Sequence, residues 1–163
     1  DADGLNAFAG RANELSQRTN RHLALTPHPG EMARLVGCTV AEVQEKRMHS
    51  ALDAASRWGV IVVLKGHHTI VATPDGRAFF NSTGNPGMAT GGTGDVLTGI
   101  LAGLTAQFGT EEWGKVLALG VHLHGLAGDL AAAEVGEASM IASDLLRSLP
   151  RAYRQICAEA LGD

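Results

Sequence analysis

The chain has 163 residues, 45% of them hydrophobic and 18% charged, a composition that argues against disorder and for one soluble globular domain with a core of useful size. Thirteen Lys and Arg against seventeen Asp and Glu leave a net charge of -4, and no basic run alternates with aromatics, so the footprint of a nucleic-acid partner is missing. Cys38 and Cys157 lie far apart with no C-x-x-C pair, which excludes a disulfide framework and a zinc knuckle and leaves two reduced, buried thiols as the expectation.

The first residues, Asp1-Ala2-Asp3-Gly4-Leu5-Asn6, carry neither a basic nor an apolar leader segment, and no stretch reads as the roughly 20 apolar residues of a membrane span. A cytoplasmic protein without a membrane partner is expected. This opening reads as the loop that follows a strand, although no strand precedes it here.

Leu23-Ala24-Leu25-Thr26-Pro27 is a short apolar run stopped by Pro-His-Pro-Gly, the pattern of a buried strand ending in a loop. A short helix follows through Glu31 to Leu35 and ends at Gly37. Thr39-Val40-Ala41-Glu42 has the form of a capping box, opening a helix expected to run to about Trp58 with Gly59 as its stop. Val40, Val43, Met48, Leu52 and Ala55 return to one side of that helix, an apolar stripe that reads as core.

Val60-Ile61-Val62-Val63-Leu64 is an unbroken aliphatic run, as in a parallel strand covered on both faces. Two more strands, Thr69 to Thr73 and Arg77 to Asn81, flank the turn Pro74-Asp75-Gly76 as a hairpin. A nearly all-apolar helix from Val96 to Leu104 is expected at the centre of the molecule, its glycines allowing close neighbours. Thr110 is the expected cap of a long helix reaching about Val135, and Ser143 and Pro150 punctuate two final helices. The order of elements implies an α/β layer architecture with ligands where strands end and helices begin.

The most informative stretch runs from Asn81 to Asp95 and holds five glycines in the twelve residues from Gly84 to Asp95. Bare backbone there lets the N–H groups of Gly92 to Asp95 converge on a negative group at the positive end of the following helix. Asp95 inside such an anion hole can accept a proton from a hydroxyl that attacks phosphorus. The bland alternative is an N-cap carboxylate that only pairs with local N–H groups. A Walker-type P-loop is absent.

Four segments, Asp1 to Asn6, Leu25 to Glu31, Lys65 to Thr69 and Gly84 to Leu97, together resemble the family of ADP- or ATP-dependent NAD(P)H-hydrate dehydratases in order and spacing. The resemblance covers the whole chain and corresponds to the C-terminal larger part of the family's domain. It implies an α/β, ribokinase-like fold over residues 1–163, with a mainly parallel central sheet flanked by helices and the family's N-terminal strands absent. An uncovered sheet edge would favour self-association, and homo-oligomers are expected from the resemblance as well.

By motif match, the resemblance implies that His28, Pro29, Gly30 and Glu31, with the segment to Arg34, meet the hydrated nucleotide. Lys65, Gly66, His67, His68 and Thr69 would meet ADP or ATP, together with Asn85, Gly87, Met88, Ala89, Thr90, Gly91, Gly92, Thr93 and Gly94. Gly92, Thr93 and Gly94 would form the anion hole, and Asp95 would act on the reacting hydroxyl as the catalytic residue. The implied reaction is repair of hydrated NADH or NADPH by phosphorylation of the ring hydroxyl and loss of phosphate.

Each residue also has its own physical case. Lys65 ends a buried strand, where an ammonium can reach a phosphate, against the alternative of a solvated strand-end lysine. His28 sits between two prolines in a rigid turn, as a fixed donor or a structural turn histidine. Asp1 and Asp3 could hold a ligand or magnesium at the chain start, and Asn6 matches the family motif too. No protein-held transition metal is expected, because His122 and His124 face different sides of a helix and His67 and His68 diverge on an extended segment. Magnesium would arrive with the nucleotide, held mainly by phosphate oxygens. Two other readings stand beside this one: a kinase of the same fold acting on a sugar or vitamin-precursor alcohol, and a truncated nucleotide-binding module without turnover.

Overall fold

The aliphatic runs and helix stops of the sequence reappear in a computed structural model that describes residues 1–19 and 22–162. They fall into two units, Asp1–Phe80 and Asn81–Asp163.

The first unit opens with helix α1 (Ala2–Asn6) and a 3₁₀ turn at Ala12–Gln17, then strand β1 (Ala24–Leu25). Helices α2 (Pro29–Val36), α3 (Val40–Glu45) and α4 (Arg47–Trp58) follow, and strands β2 (Ile61–Leu64), β3 (Ile70–Ala72) and β4 (Ala78–Phe80) complete it. The sheet order is β1-β2-β3-β4. β1 pairs with β2 in parallel, while β2 with β3 and β3 with β4 are antiparallel. The α/β character of the chain is as expected, but the sheet is mostly antiparallel. The hairpin at Pro74-Asp75-Gly76 reverses the chain, and the parallel geometry remains only where helices α2 to α4 carry it across from β1 to β2.

All four residues of β2 are buried, as its β-branched run requires of a strand covered on both faces. Met32, Val43, Ala51, Ala55 and Trp58 from the helices share one core with Val62 and Leu64. Pro29 at the first helical turn and left-handed Gly37 bound α2. The Thr39 capping box forms, with Glu42 accepting from the Thr39 N–H at 2.8 Å. The single helix expected to Trp58 is instead two, because the backbone of Lys46 leaves the helical region at φ -123 and ψ 39. The chain start, read as a loop, is helical, with Leu5 buried in the same core.

The second unit is helical: α5 (Thr93–Phe108), α6 (Trp113–Val135) and α7 (Ala142–Leu161), with α6 packed against both others. Here α5 buries one stripe, Thr93, Leu97, Leu101 and Leu104, while Gly99 and Gly103 have nothing within 4 Å of where a side chain would start. That corrects the expectation that these glycines admit close neighbours. Glu112, not Thr110, precedes α6. The two expected final helices are one, since Pro150 lies within α7 on its exposed side and the carbonyl that its missing N–H frees belongs to exposed Leu146. α6 is long and apolar enough to cross a membrane, contrary to the reading of the sequence, but half of its most apolar stretch is buried inside the protein. Both cysteines are free and exposed rather than buried.

Candidate functional site

In the first unit the sequence segments at the chain start, at residues 25–31 and at Lys65 come together. Lys65 Nζ lies 2.5 Å from Asp1 Oδ1 and 3.8 Å from Glu31 Oε2, with all three side chains largely buried. Glu31 accepts the His28 N–H at 2.7 Å. His28 in return caps α2, its Nδ1 accepting from Gly30 and Glu31 N–H at 3.0 and 3.3 Å. Nδ1 is therefore the unprotonated nitrogen and Nε2 carries the proton when the ring is neutral. Nε2 is 3.6 Å from Glu31 Oε1 on a half-exposed ring. The turn role weighed for His28 is thus carried by Nδ1. Asn6 joins this group by accepting from Arg34 Nε at 3.2 Å.

His67 and His68 occupy a turn after β2, and His68 has a left-handed backbone at φ +54. Their rings do not diverge as an extended segment would demand; the centroids are 3.9 Å apart. The Thr69 hydroxyl closes the turn on the Gly66 carbonyl at 3.1 Å.

In the second unit, the glycine-rich stretch is an ordered loop leading into α5. Pro86–Met88 is a 3₁₀ turn capped by the Asn85 side chain, whose Oδ1 accepts the Gly87 N–H at 3.1 Å. Gly92 adopts φ +90 and ψ -15, a conformation that an L-side chain resists. The first helical bond runs from Val96 N–H to the Gly92 carbonyl, so the N–H groups of Thr93, Gly94 and Asp95 have no helical acceptor. Asp95 is exposed, three residues beyond the cap position, and no side-chain hydrogen bond or ion pair engages it among the described residues. The N-cap reading of Asp95 fails on this geometry: the cap is Gly92, and the carboxylate stands uncommitted at the rim of three open amides. Such a helix start binds anions.

The family model described as NAD(P)H-hydrate dehydratase matches residues 1–151. The chain belongs to the NAD(P)H-hydrate dehydratase family. It is 52% identical over 158 residues to the bifunctional NAD(P)H-hydrate repair enzyme of Moorella thermoacetica, covering 96% of this chain and 29% of that protein. It is 44% identical over 147 residues to the ADP-dependent (S)-NAD(P)H-hydrate dehydratase of Neisseria meningitidis serogroup B, covering 90% of this chain and 48% of that protein. The ADP/ATP-dependent NAD(P)H-hydrate dehydratase of Bacillus subtilis, co-crystallised with ATP and Mg2+, superposes with a TM-score of 0.78 at 38% identity, over 86% of this chain and 52% of that one. A ribokinase-like superfamily protein of Enterococcus faecalis matches with a TM-score of 0.78 at 31% identity, over 94% of this chain and 50% of that one. The fold is therefore ribokinase-like, and the chain spans about half the length, or less, of these relatives.

Within this family member, sequence reasoning missed the side chains that hold the loops. Arg47 Nη2 donates to the carbonyls of Leu64, Lys65 and His68 at 3.3, 3.3 and 3.4 Å, fastening the turn after β2. Asp129 accepts from Gly84 N–H at 2.9 Å and from Asn85 Nδ2 at 3.0 Å. Both ends of the Asn85 amide are thus engaged by the protein, so Asn85 shapes the loop. Buried His124 reaches the Thr93 carbonyl at 2.9 Å. None of these lies in a glycine-rich or histidine-proline motif, and each acts across a long sequence separation, so the local pattern gave no signal.

Proposed function

We propose that this chain carries the nucleotide-dependent dehydration of hydrated NADH or NADPH, with ADP or ATP as phosphoryl donor and Mg2+ bound to the donor's phosphates. The observation that carries the reading is the start of α5, where three open backbone amides and the uncommitted Asp95 carboxylate share one helix end. The amides of Thr93, Gly94 and Asp95 suit the oxygens of a phosphoryl group in transfer. Asp95 takes the proton of the ring hydroxyl as its oxygen forms the new bond to phosphorus and the bond to the leaving nucleotide breaks. Phosphate then departs with the C–O bond pair while the neighbouring ring carbon loses a proton, which restores the double bond and gives NAD(P)H, inorganic phosphate and the shortened nucleotide. Phosphorylation matters because hydroxide leaves poorly and phosphate leaves well.

His28, Pro29, Gly30 and Glu31 are assigned to the hydrated nucleotide. Lys65 to Thr69 and the loop from Asn85 to Gly94 are assigned to ADP or ATP. Self-association through the edge strand β1 belongs to the same reading and is tested by sedimentation.

The test is recovery of the reduced-nicotinamide absorbance band from hydrated NADH, with ADP or ATP, by the wild-type chain and by Asp95→Asn. Recovery that requires nucleotide and falls by about 10²-fold or more in the variant supports the assignment. Stable phosphorylated product from a simple alcohol, with no recovery of the band, would replace it with a kinase of the same fold. ADP binding with neither reaction would replace it with a binding module.

A further inference from the structure

Helix α6 presents four residues, His124, Gly125, Gly128 and Asp129, on one broad stripe, linked by the three- and four-residue spacings that stack along a helix face. Each meets a different point of the loop from Thr83 to Thr93. A side chain on Gly125 would start 2.1 Å from Thr83 Oγ1, and one on Gly128 would start 2.3 Å from Met88 Sδ, so the backbone of α6 itself forms the bed for the loop. The Thr83 hydroxyl donates to the His122 carbonyl at 3.0 Å. Asp129 holds Gly84 and Asn85. The last point of contact is His124 Nε2, 2.9 Å from the Thr93 carbonyl.

A carbonyl oxygen only accepts, so the Nε2 of His124 must carry the proton. Thr93 is buried, and its hydroxyl faces the carbonyls of Met88 and Thr90 at 2.8 and 3.0 Å. Its peptide unit is therefore held from both the hydroxyl and the carbonyl side. The carbonyl of Thr93 and the N–H of Gly94 share one rigid peptide plane, so fixing the first aims the second.

We propose that His124 is a positioning residue for phosphate binding: by holding the Thr93 carbonyl, it aims the open Gly94 amide at the start of α5, while Asp129 fixes the upstream end of the same loop. The inference rests on the reading of that helix start as the nucleotide's phosphate site. His124 touches no phosphate itself and acts through Thr93. Loss of its hydrogen bond should therefore affect ligands with a phosphate and spare those without one.

The experiment titrates ADP with Mg2+, and separately adenosine, into the full chain as wild type, His124→Met and His124→Gln. Wild type binds ADP; His124→Met weakens ADP about tenfold, the worth of one hydrogen bond of about 1 kcal/mol or slightly more, and leaves adenosine affinity unchanged. His124→Gln, whose amide nitrogen can replace Nε2–H, recovers most of the ADP affinity. A long-range proton–nitrogen spectrum of the wild type places the ring proton on Nε2. Equal loss of ADP and adenosine, unaltered ADP binding in His124→Met, or a proton on Nδ1 would each overturn the positioning role while leaving the functional reading intact. A wild type that binds adenosine but gains nothing from the phosphates would overturn both.

Discussion

His68, held at φ +54, is tied to Arg47, whose Nη2 donates to the His68 carbonyl across 3.4 Å. The same guanidinium reaches the Leu64 and Lys65 carbonyls, so one half-buried cation terminates β2 and sets the turn that follows it. Burial lowers the Arg47 pKa from its ordinary value, yet a guanidinium stays charged at any physiological pH. Arg47→Met should cost about 1–2 kcal/mol of stability, since these hydrogen bonds are long and partly solvated. It should also speed amide exchange across residues 66–69. Arg47→Lys should recover only part of this, because an ammonium has donors for the carbonyls but lacks the second nitrogen that holds Gln44 Oε1 at 3.0 Å. Unchanged exchange in Arg47→Met would show that the turn holds itself.

Gly92 makes the second prediction. At φ +90 it lies where an L-residue pays about 1–2 kcal/mol, and a side chain there would start 3.2 Å from Ala142 Cβ. Gly92→Ala should lower Tm by about 2–8 °C and reduce ADP affinity by turning the amides that follow. Gly99→Ala, in the same helix with nothing within 4 Å, should instead raise stability by about 0.5–1 kcal/mol through helix propensity. Calorimetry of the two variants checks the contrast, and equal effects would mean that the backbone of Gly92 is not constrained.

What the sequence made legible was local. The capping box at Thr39, the left-handed stops at Gly37 and Gly59, and the hairpin around Asp75 follow from short-range stereochemistry, and all formed. The apolar helix α5 was likewise legible behind its glycine-rich approach, although it was read from Val96 and begins three residues earlier, at Thr93. What failed depended on tertiary surroundings. Lys46 breaks a helix with no proline or glycine to signal it. Pro150 fails to break one because its unsatisfied neighbour faces outward. His124 was weighed only as half of a metal pair with His122, since its partner, the Thr93 carbonyl, lies 31 residues away and is invisible to any pattern of side chains.

The last prediction concerns pH. Burial lowers the pKa of His124 below the 6.5 of an ordinary imidazole, and the hydrogen bond to the Thr93 carbonyl opposes that shift only in part. The unfolded chain therefore takes up a proton at this residue, below about pH 6.5, that the native state refuses. Its contribution to stability is complete above pH 6.5 and is lost as pH falls toward the folded-state value, at about 1.4 kcal/mol per unit of separation. The imidazolium could still donate to Thr93, so the cost is that of burying charge rather than of breaking the contact. Urea unfolding of wild type and His124→Gln at pH 7.5 and at successively lower pH, each point expressed as a difference between the two proteins, isolates this residue from the other histidines. Wild type should lose stability relative to the variant on acidification, because glutamine does not titrate. Parallel pH profiles would mean that the ring is protonated as readily in the folded protein as in the unfolded one, and that its environment is wetter than its burial implies.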